Sequence, residues 1–111
     1  MQEITWKDFE RVELRVGTVI GIEDSPKARK PAYKLKVDFG NEIGVLQSSA
    51  QITVHYTKEE LLGKQVVAVV NFPKKQIAKF MSECLVVGAV KEGDVFLLRP
   101  EIRVINGSTV A

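Results

Sequence analysis

The stretch YTKEELLGKQVVAVVN, residues 56–71, constrains the fold more than any other part of the chain. Thr57 is a good N-cap, and Glu60 three residues later completes a capping box, so a helix starts here. Tyr56 before the cap and Leu61 in the first turns suit a hydrophobic staple, and Gly63 supplies the stop. KQVVAVVN then runs apolar and β-branched without alternation, as a strand covered on both faces does. A lone short helix feeding a doubly covered strand requires other strands to cover it.

They are present upstream. LRVGTVIGIE (14–23) alternates, placing Leu14, Val16, Thr18, Ile20 and Ile22 on one face, while Gly17 and Gly21 predict a bulge or sharp coiling. YKLKVDF (33–39) alternates cleanly: Tyr33, Leu35, Val37 and Phe39 point one way, Lys34, Lys36 and Asp38 the other. Gly40-Asn41 turns the chain into EIGVLQ (42–47), a hairpin partner. Downstream, NFPKKQIAKFMSE (71–83) leaves the buried strand. Its Ile77, Phe80 and Met81 fall at i, i+3 and i+4, which predicts a helical turn with Lys75 and Lys79 outward. ECLVVGAV (83–90) and DVFLL (94–98) read as further strands, and Asn106-Gly107 closes the tail.

Three strands, a helix, then two strands is the order of the OB-fold, an all-β five-stranded Greek-key barrel with a short helix between its third and fourth strands. Extensions flank it at both ends, and 111 residues fit a single domain, 1–111. This fold takes oligonucleotides on the face of strands 2 and 3 and in the loops joining strands 1–2 and 4–5. Those loops are here residues 24–32 and 72–82.

The charge map bears on those loops. Residues 25–36 carry Lys27, Arg29, Lys30, Lys34 and Lys36 without an acid, and residues 64–82 carry Lys64, Lys74, Lys75 and Lys79 without one. All fourteen acids lie elsewhere, although sixteen basic residues leave the chain only slightly positive. Taken alone, such runs are more often solvated loops balanced by acidic neighbours in space. Their coincidence with the ligand loops of the fold favours binding of a polyanion.

Other chemistries lack their residues. His55 and Cys84 are single and far apart, too few for a metal site. Cys84 sits in an apolar strand, as a buried small hydrophobe does, and cannot form an internal disulfide. Gly63-Lys64 is followed by Gln65, so it is a helix stop and not a phosphate loop. Ser48 and Ser49 have no evident base in His55. The expectation is a non-catalytic protein without cofactor. The first residues, MQEITWKDFE, lack the pattern of a signal peptide, and no apolar run approaches the about 20 residues that cross a bilayer, which together point to the cytoplasm and against membrane insertion.

ELRVGTVIGIEDSP, YKLKVDFG, QSSAQIT, YTKEELLGKQVVAVVNFPKKQIAKFMSECLVVG and VINGSTV together resemble the stand-alone tRNA-binding domains of the CsaA type, over nearly the whole chain. Relatives of that domain are appended to methionyl-tRNA and phenylalanyl-tRNA synthetases and to eukaryotic synthetase cofactors. The resemblance implies an OB-fold homodimer binding the folded shape of tRNA and, for CsaA-type members, an export-related chaperone of precursor proteins, with the export motor as a further partner. It assigns ligand contacts to Asn71, Lys74, Lys75, Lys79, Ser82 and Glu83 in the loop, and to Gln47, Ser48, Ser49 and Gln51 in QSSAQ. Where synthetase-appended domains usually carry a glycine-containing block, this chain has Phe80-Met81-Ser82-Glu83-Cys84, a departure that favours the CsaA branch.

Two functions compete for one loop. Lys27, Arg29, Lys30, Lys34, Lys36, Lys74, Lys75 and Lys79 would meet phosphates, and Phe72 or Phe80 could stack an unpaired base. Alternatively Phe72, Ile77, Phe80 and Met81 would line a groove for unfolded precursor segments, methionine suiting varied partners. Core packing is the competing role of Phe80, and a turn with a cap that of Ser82 and Glu83. DVFLLRPEIRVI, with Trp6 and Phe9, offers more apolar surface than one barrel needs, consistent with a dimer.

Overall fold

The computed structural model describes residues 1–25, 30–77 and 80–111. In chain order the elements are α1 (Trp6–Glu10), β1 (Leu14–Asp24), β2 (Tyr33–Asp38), α2 (Gly40–Ile43), β3 (Val45–Ala50) and α3 (Lys58–Leu61). There follow β4 (Gln65–Val69), β5 (Lys75–Ile77), β6 (Phe80–Ser82), β7 (Leu85–Val86), β8 (Gly88–Lys91) and β9 (Asp94–Leu97). Five of the strands form one antiparallel sheet in the order β3-β2-β1-β4-β7. Its two edges come back together where the Glu83 N–H donates to the Gln47 carbonyl at 2.8 Å, so the sheet nearly closes into the OB barrel.

The interior is apolar. Leu35 and Val37 from β2 and Phe39 just after it meet Val19, Val66, Ala68, Cys84 and Val86, and Leu61 of α3 joins the same cluster. Each of the Val, Leu and Phe side chains among these, taken fully from water, contributes on the order of 1.5–3 kcal/mol. The α3 helix is only four residues long, and both halves of its capping box form: Thr57 Oγ1 accepts from the Glu60 N–H, and Glu60 accepts from the Thr57 N–H. Gly63 follows at φ +84°, a conformation glycine adopts without penalty.

Up to Val19, the interior face of β1 is the opposite of the one alternation predicts. Ladder partners step from Val19↔Val37 to Gly21↔Lys36, so Ile20 is an extra residue in a bulge and lies half exposed, at 48%. Val19 is fully buried, and Ile22 packs against the core cluster beyond the bulge. Gly17 shares the inner face, where an added Cβ would lie 2.6 Å from Val37 Cγ1. Thr18 is buried on the other face, its hydroxyl donating to Asn106 Oδ1 of the C-terminal tail at 2.6 Å.

Three further expectations are corrected. Residues 40–43 form a helical turn, so the third strand is Val45–Ala50 and not 42–47. The loop after β4 is a two-stranded ribbon, β5 paired with β6, and not a helical turn. Ile77 faces Phe80 across it, and a spacing of three is as natural to a tight hairpin as to a helix. The expected strand 83–90 is split: β7 completes the barrel, while β8 pairs with β9 across a Glu92-Gly93 turn with positive φ at both residues. The N-terminal segment holds an unexpected helix, α1, closed by a second capping box between Thr5 and Asp8.

Candidate nucleic-acid interface

The outer face of β1, β2 and β3 brings side chains into cross-strand rows. One row is Glu23, Lys34 and Ser49; the next is Gly21, Lys36 and Gln47. Gly21 leaves that second row low, because nothing rises from β1 beside Lys36. The ribbon stands over this floor, and the Lys34 ammonium lies 5.5 Å from the centroid of the Phe80 ring, within reach of a cation–π contact. Between them is a cavity of about 230 Å³, lined by Ile22, Glu23, Lys34, Lys36, Gln47 and Phe80 among others. It joins an apolar wall to two cations, one carboxylate and an amide, so it pairs an apolar surface with a net positive charge.

Lys34, Lys36, Gln47 and Ser49 are thus gathered on one face, and Lys75 is exposed on the ribbon. Lys30 is exposed at the edge of the 24–32 loop, and Gln51 is exposed just past β3. Lys27, Arg29 and Lys79 lie outside the described residues. Phe72 is 53% exposed and Met81 38%, while Ile77 and Phe80 are half-buried.

Four expected contacts have other work. Ser48 is 2% exposed and pairs with Leu35, so it faces the core beside Cys84, whose thiol donates to the Gln47 carbonyl at 3.8 Å. The Asn71 amide accepts from the Glu13 N–H at 3.0 Å and donates to the Arg11 carbonyl at 2.7 Å, clamping the segment before β1 to the end of β4. Ser82 Oγ accepts from the Ser49 N–H at 3.3 Å and donates to the Cys84 carbonyl at 3.4 Å. Glu83 accepts from the Gln47 N–H at 3.0 Å through one oxygen, while its other oxygen lies 3.2 Å from the Lys74 ammonium. Ser82 and Glu83 therefore supply, by side chain, acceptors that a neighbouring strand would give β3.

The acid-free runs of sequence are partly balanced in space. Glu83 pairs with Lys74, and Glu23 shares a row with Lys34. Beside the 24–32 loop, a hydrogen bond from Lys58 to Asp24 at 2.9 Å raises the lysine above its ordinary pKa. Burial pushes the Cys84 thiol up to about 12, leaving it inert. His55 does have a partner: its Nε2 lies 3.0 Å from Asp94 and its ring 4.6 Å from that of Phe96, which ties the loop before α3 to β9. Sequence reasoning missed Gly21, Ile22 and Glu23 as lining residues; the charge alternation of β2 identified its outer face but not the register of β1 beside it. Among the described residues no group of His, Cys, Asp and Glu could hold a metal ion, and no helix is long and apolar enough to cross a membrane.

Barrel, cationic face and overhanging ribbon define an OB-type binding module. Residues 14–109 match the family described as "Putative tRNA binding domain", and the chain belongs to that family. It is similar to the chaperone CsaA of Bacillus anthracis, with 49% identity and a TM-score of 0.93 over 99% of this chain and 100% of that one. CsaA of Picrophilus torridus is 50% identical, with a TM-score of 0.92 over 98% of this chain and all of that one. Methionine–tRNA ligase of Thermococcus onnurineus is 33% identical over 110 residues, 99% of this chain. The chain spans 15% of that enzyme's length.

Proposed function

We propose that residues 1–111 act as one non-catalytic tRNA-binding domain in the cytoplasm, gripping folded RNA by shape. The observation that carries this is the lysine row of β2 beside the Phe80 cavity, on the face OB barrels use for oligonucleotides. Lys30, Lys34, Lys36, Lys74 and Lys75, with Lys27, Arg29 and Lys79 of the same loops, meet phosphates and set orientation without reading sequence. Gln47 and Ser49 stand between the lysines to bond ribose or base. Ile4, Trp6, Ile102 and Ile105 of the two extensions are largely exposed, which supports a homodimer that presents two such faces to one RNA. The test is tRNA binding followed by fluorescence anisotropy across a salt series. The logarithm of affinity should fall by about 0.7–0.9 per phosphate contacted for each decade of salt. Binding indifferent to salt would sink the proposal.

A chaperone function for precursor proteins is the second reading, supported by the exposed Phe72 and Met81 on the same loop and by the similarity to CsaA. Precursor peptides, and an export motor delivering them, would then be partners. Titrating tRNA against a bound precursor peptide separates the two, since peptide held by apolar contact resists salt that strips RNA. Mutual displacement means one shared surface.

A further inference from the structure

A second concave surface opens at the other end of β4 from the ribbon. A cleft of about 380 Å³ runs between α3 and the residues after β9 and continues into another of about 310 Å³; Lys64, Gln65 and Arg99 line both. Among the described residues Lys64 and Arg99 have no ion-pair partner. Arg103, in the adjoining cleft, donates to the Gly63 carbonyl at 3.2 Å and the Thr18 hydroxyl at 3.3 Å, both uncharged, so its position is fixed while its charge is not neutralised. Two acids also line the clefts: Glu60, one of whose carboxylate oxygens accepts from Thr57 in the capping box, and Glu101.

The frame is rigid. The Gln65 amide donates to the Val104 carbonyl at 2.6 Å and accepts from the Val104 N–H at 3.0 Å, which pins the 99–104 segment to the barrel. The opposite wall is apolar, from Leu61, Val66 and Leu97. The Arg99 guanidinium fork and the Lys64 ammonium, with the N–H groups that Arg103 has left, match phosphate oxygens, and an apolar wall beside them takes a sugar or base.

From this we infer that the Lys64–Arg99–Arg103 cleft is a second phosphate-binding site that takes one nucleotide unit, on the opposite end of β4 from the ribbon. That the unit belongs to a bound RNA strand rests on the proposed function; the free 5′-nucleotide is the other source of the same chemistry.

The experiment records amide NMR shifts of the intact protein with 5′-AMP, with inorganic phosphate and with adenosine at low salt, and tRNA affinity across a salt series, for wild type and Lys64→Glu/Arg99→Glu. Shifts at Lys64, Gln65 and Arg99 with 5′-AMP exceeding those with phosphate, absent with adenosine and lost in the variant, are expected. If RNA supplies the nucleotide, the variant also loses about 10-fold in tRNA affinity at low salt, and its salt slope drops by about 0.7–0.9, the worth of one phosphate. Shifts present but tRNA affinity unchanged would assign the site to a free nucleotide. No shift with either anion overturns the site, even where tRNA affinity falls, because that fall would then be long-range charge alone. Lys34→Glu/Lys36→Glu, which lies outside the cleft, should keep the 5′-AMP shifts; if wild type binds no tRNA, the proposed function fails while those shifts still judge the cleft. The near-native amide spectrum of each variant in the absence of ligand certifies its fold.

Discussion

Glu83 and Gln47 are joined twice across the barrel seam: the Glu83 N–H donates to the Gln47 carbonyl at 2.8 Å, and the Gln47 N–H donates to the Glu83 carboxylate at 3.0 Å. The second bond stands in for a strand that β3 does not have at that point. Glu83→Ala leaves the Gln47 N–H without its acceptor in a part-buried setting, so it should cost about 1–3 kcal/mol of stability in a urea titration. Glu83→Gln keeps an acceptor at the same reach and should lose less than half of that.

The same carboxylate lies 3.2 Å from the Lys74 ammonium, so in the proposed function Glu83 would compete with phosphate for that lysine. Glu83→Gln should therefore strengthen tRNA binding at low salt, by about two- to fivefold for a pair exposed on its lysine side, with the gain fading as salt rises. A loss of affinity in anisotropy titrations would show that Glu83 touches the RNA itself.

Gly17 and Gly21 both lie in β1 but should respond differently to alanine. A Cβ on Gly17 would meet Val37 Cγ1 at 2.6 Å, Phe39 Cδ1 at 2.8 Å and the Asp38 carbonyl at 2.9 Å, inside a close-packed core. Gly17→Ala should lose about 1–3 kcal/mol or more, read as a fall in Tm of several degrees. At Gly21 the nearest atom is 3.5 Å away, so Gly21→Ala should leave Tm nearly unchanged and instead fill part of the outer face beside Lys36.

Cys84 gives a pH dependence with a definite sign. Its thiol is held up to about 12, against an ordinary 9.0 in the unfolded chain, so folding disfavours the thiolate. The stabilisation is complete below pH 9 and is lost as pH climbs from there toward about 12. Native protein at pH 9 should react with iodoacetamide far more slowly than protein in urea, and Cys84→Ala should show a flatter stability curve across that range. Equal labelling rates in the two states would contradict the burial argument.

Ser48 and Ser49 differ by one residue and by one face. Ser48→Ala should leave tRNA affinity unchanged, since its hydroxyl lies in the core, whereas Ser49→Ala should weaken binding by a few-fold if the face of Lys34 carries the RNA. An unchanged affinity in both would move the contact away from this row.

The capping box at Thr57 and Glu60, the doubly covered strand β4 and the two faces of β2 were legible in the sequence because each depends on neighbours within a few residues. Their order sufficed for the barrel. The ribbon was not legible, because Ile77 and Phe80 satisfy a helical and a hairpin spacing equally. Nor was the inner face of β1, because one extra residue at Ile20 reverses the alternation on either side of it.

For the candidate interface, the chain sequence by itself determined which residues are cationic and which loops carry them. Tertiary structure alone decided which of those residues share a face: the register of β2 against β3 sets Gln47 and Ser49 beside Lys36 and Lys34 and turns Ser48 inward. It likewise drew Asn71 to residues 58 and 60 positions away and Glu83 to one 36 away. Such contacts follow from closing a barrel, which brings unsatisfied backbone donors to side chains that no local pattern connects to them.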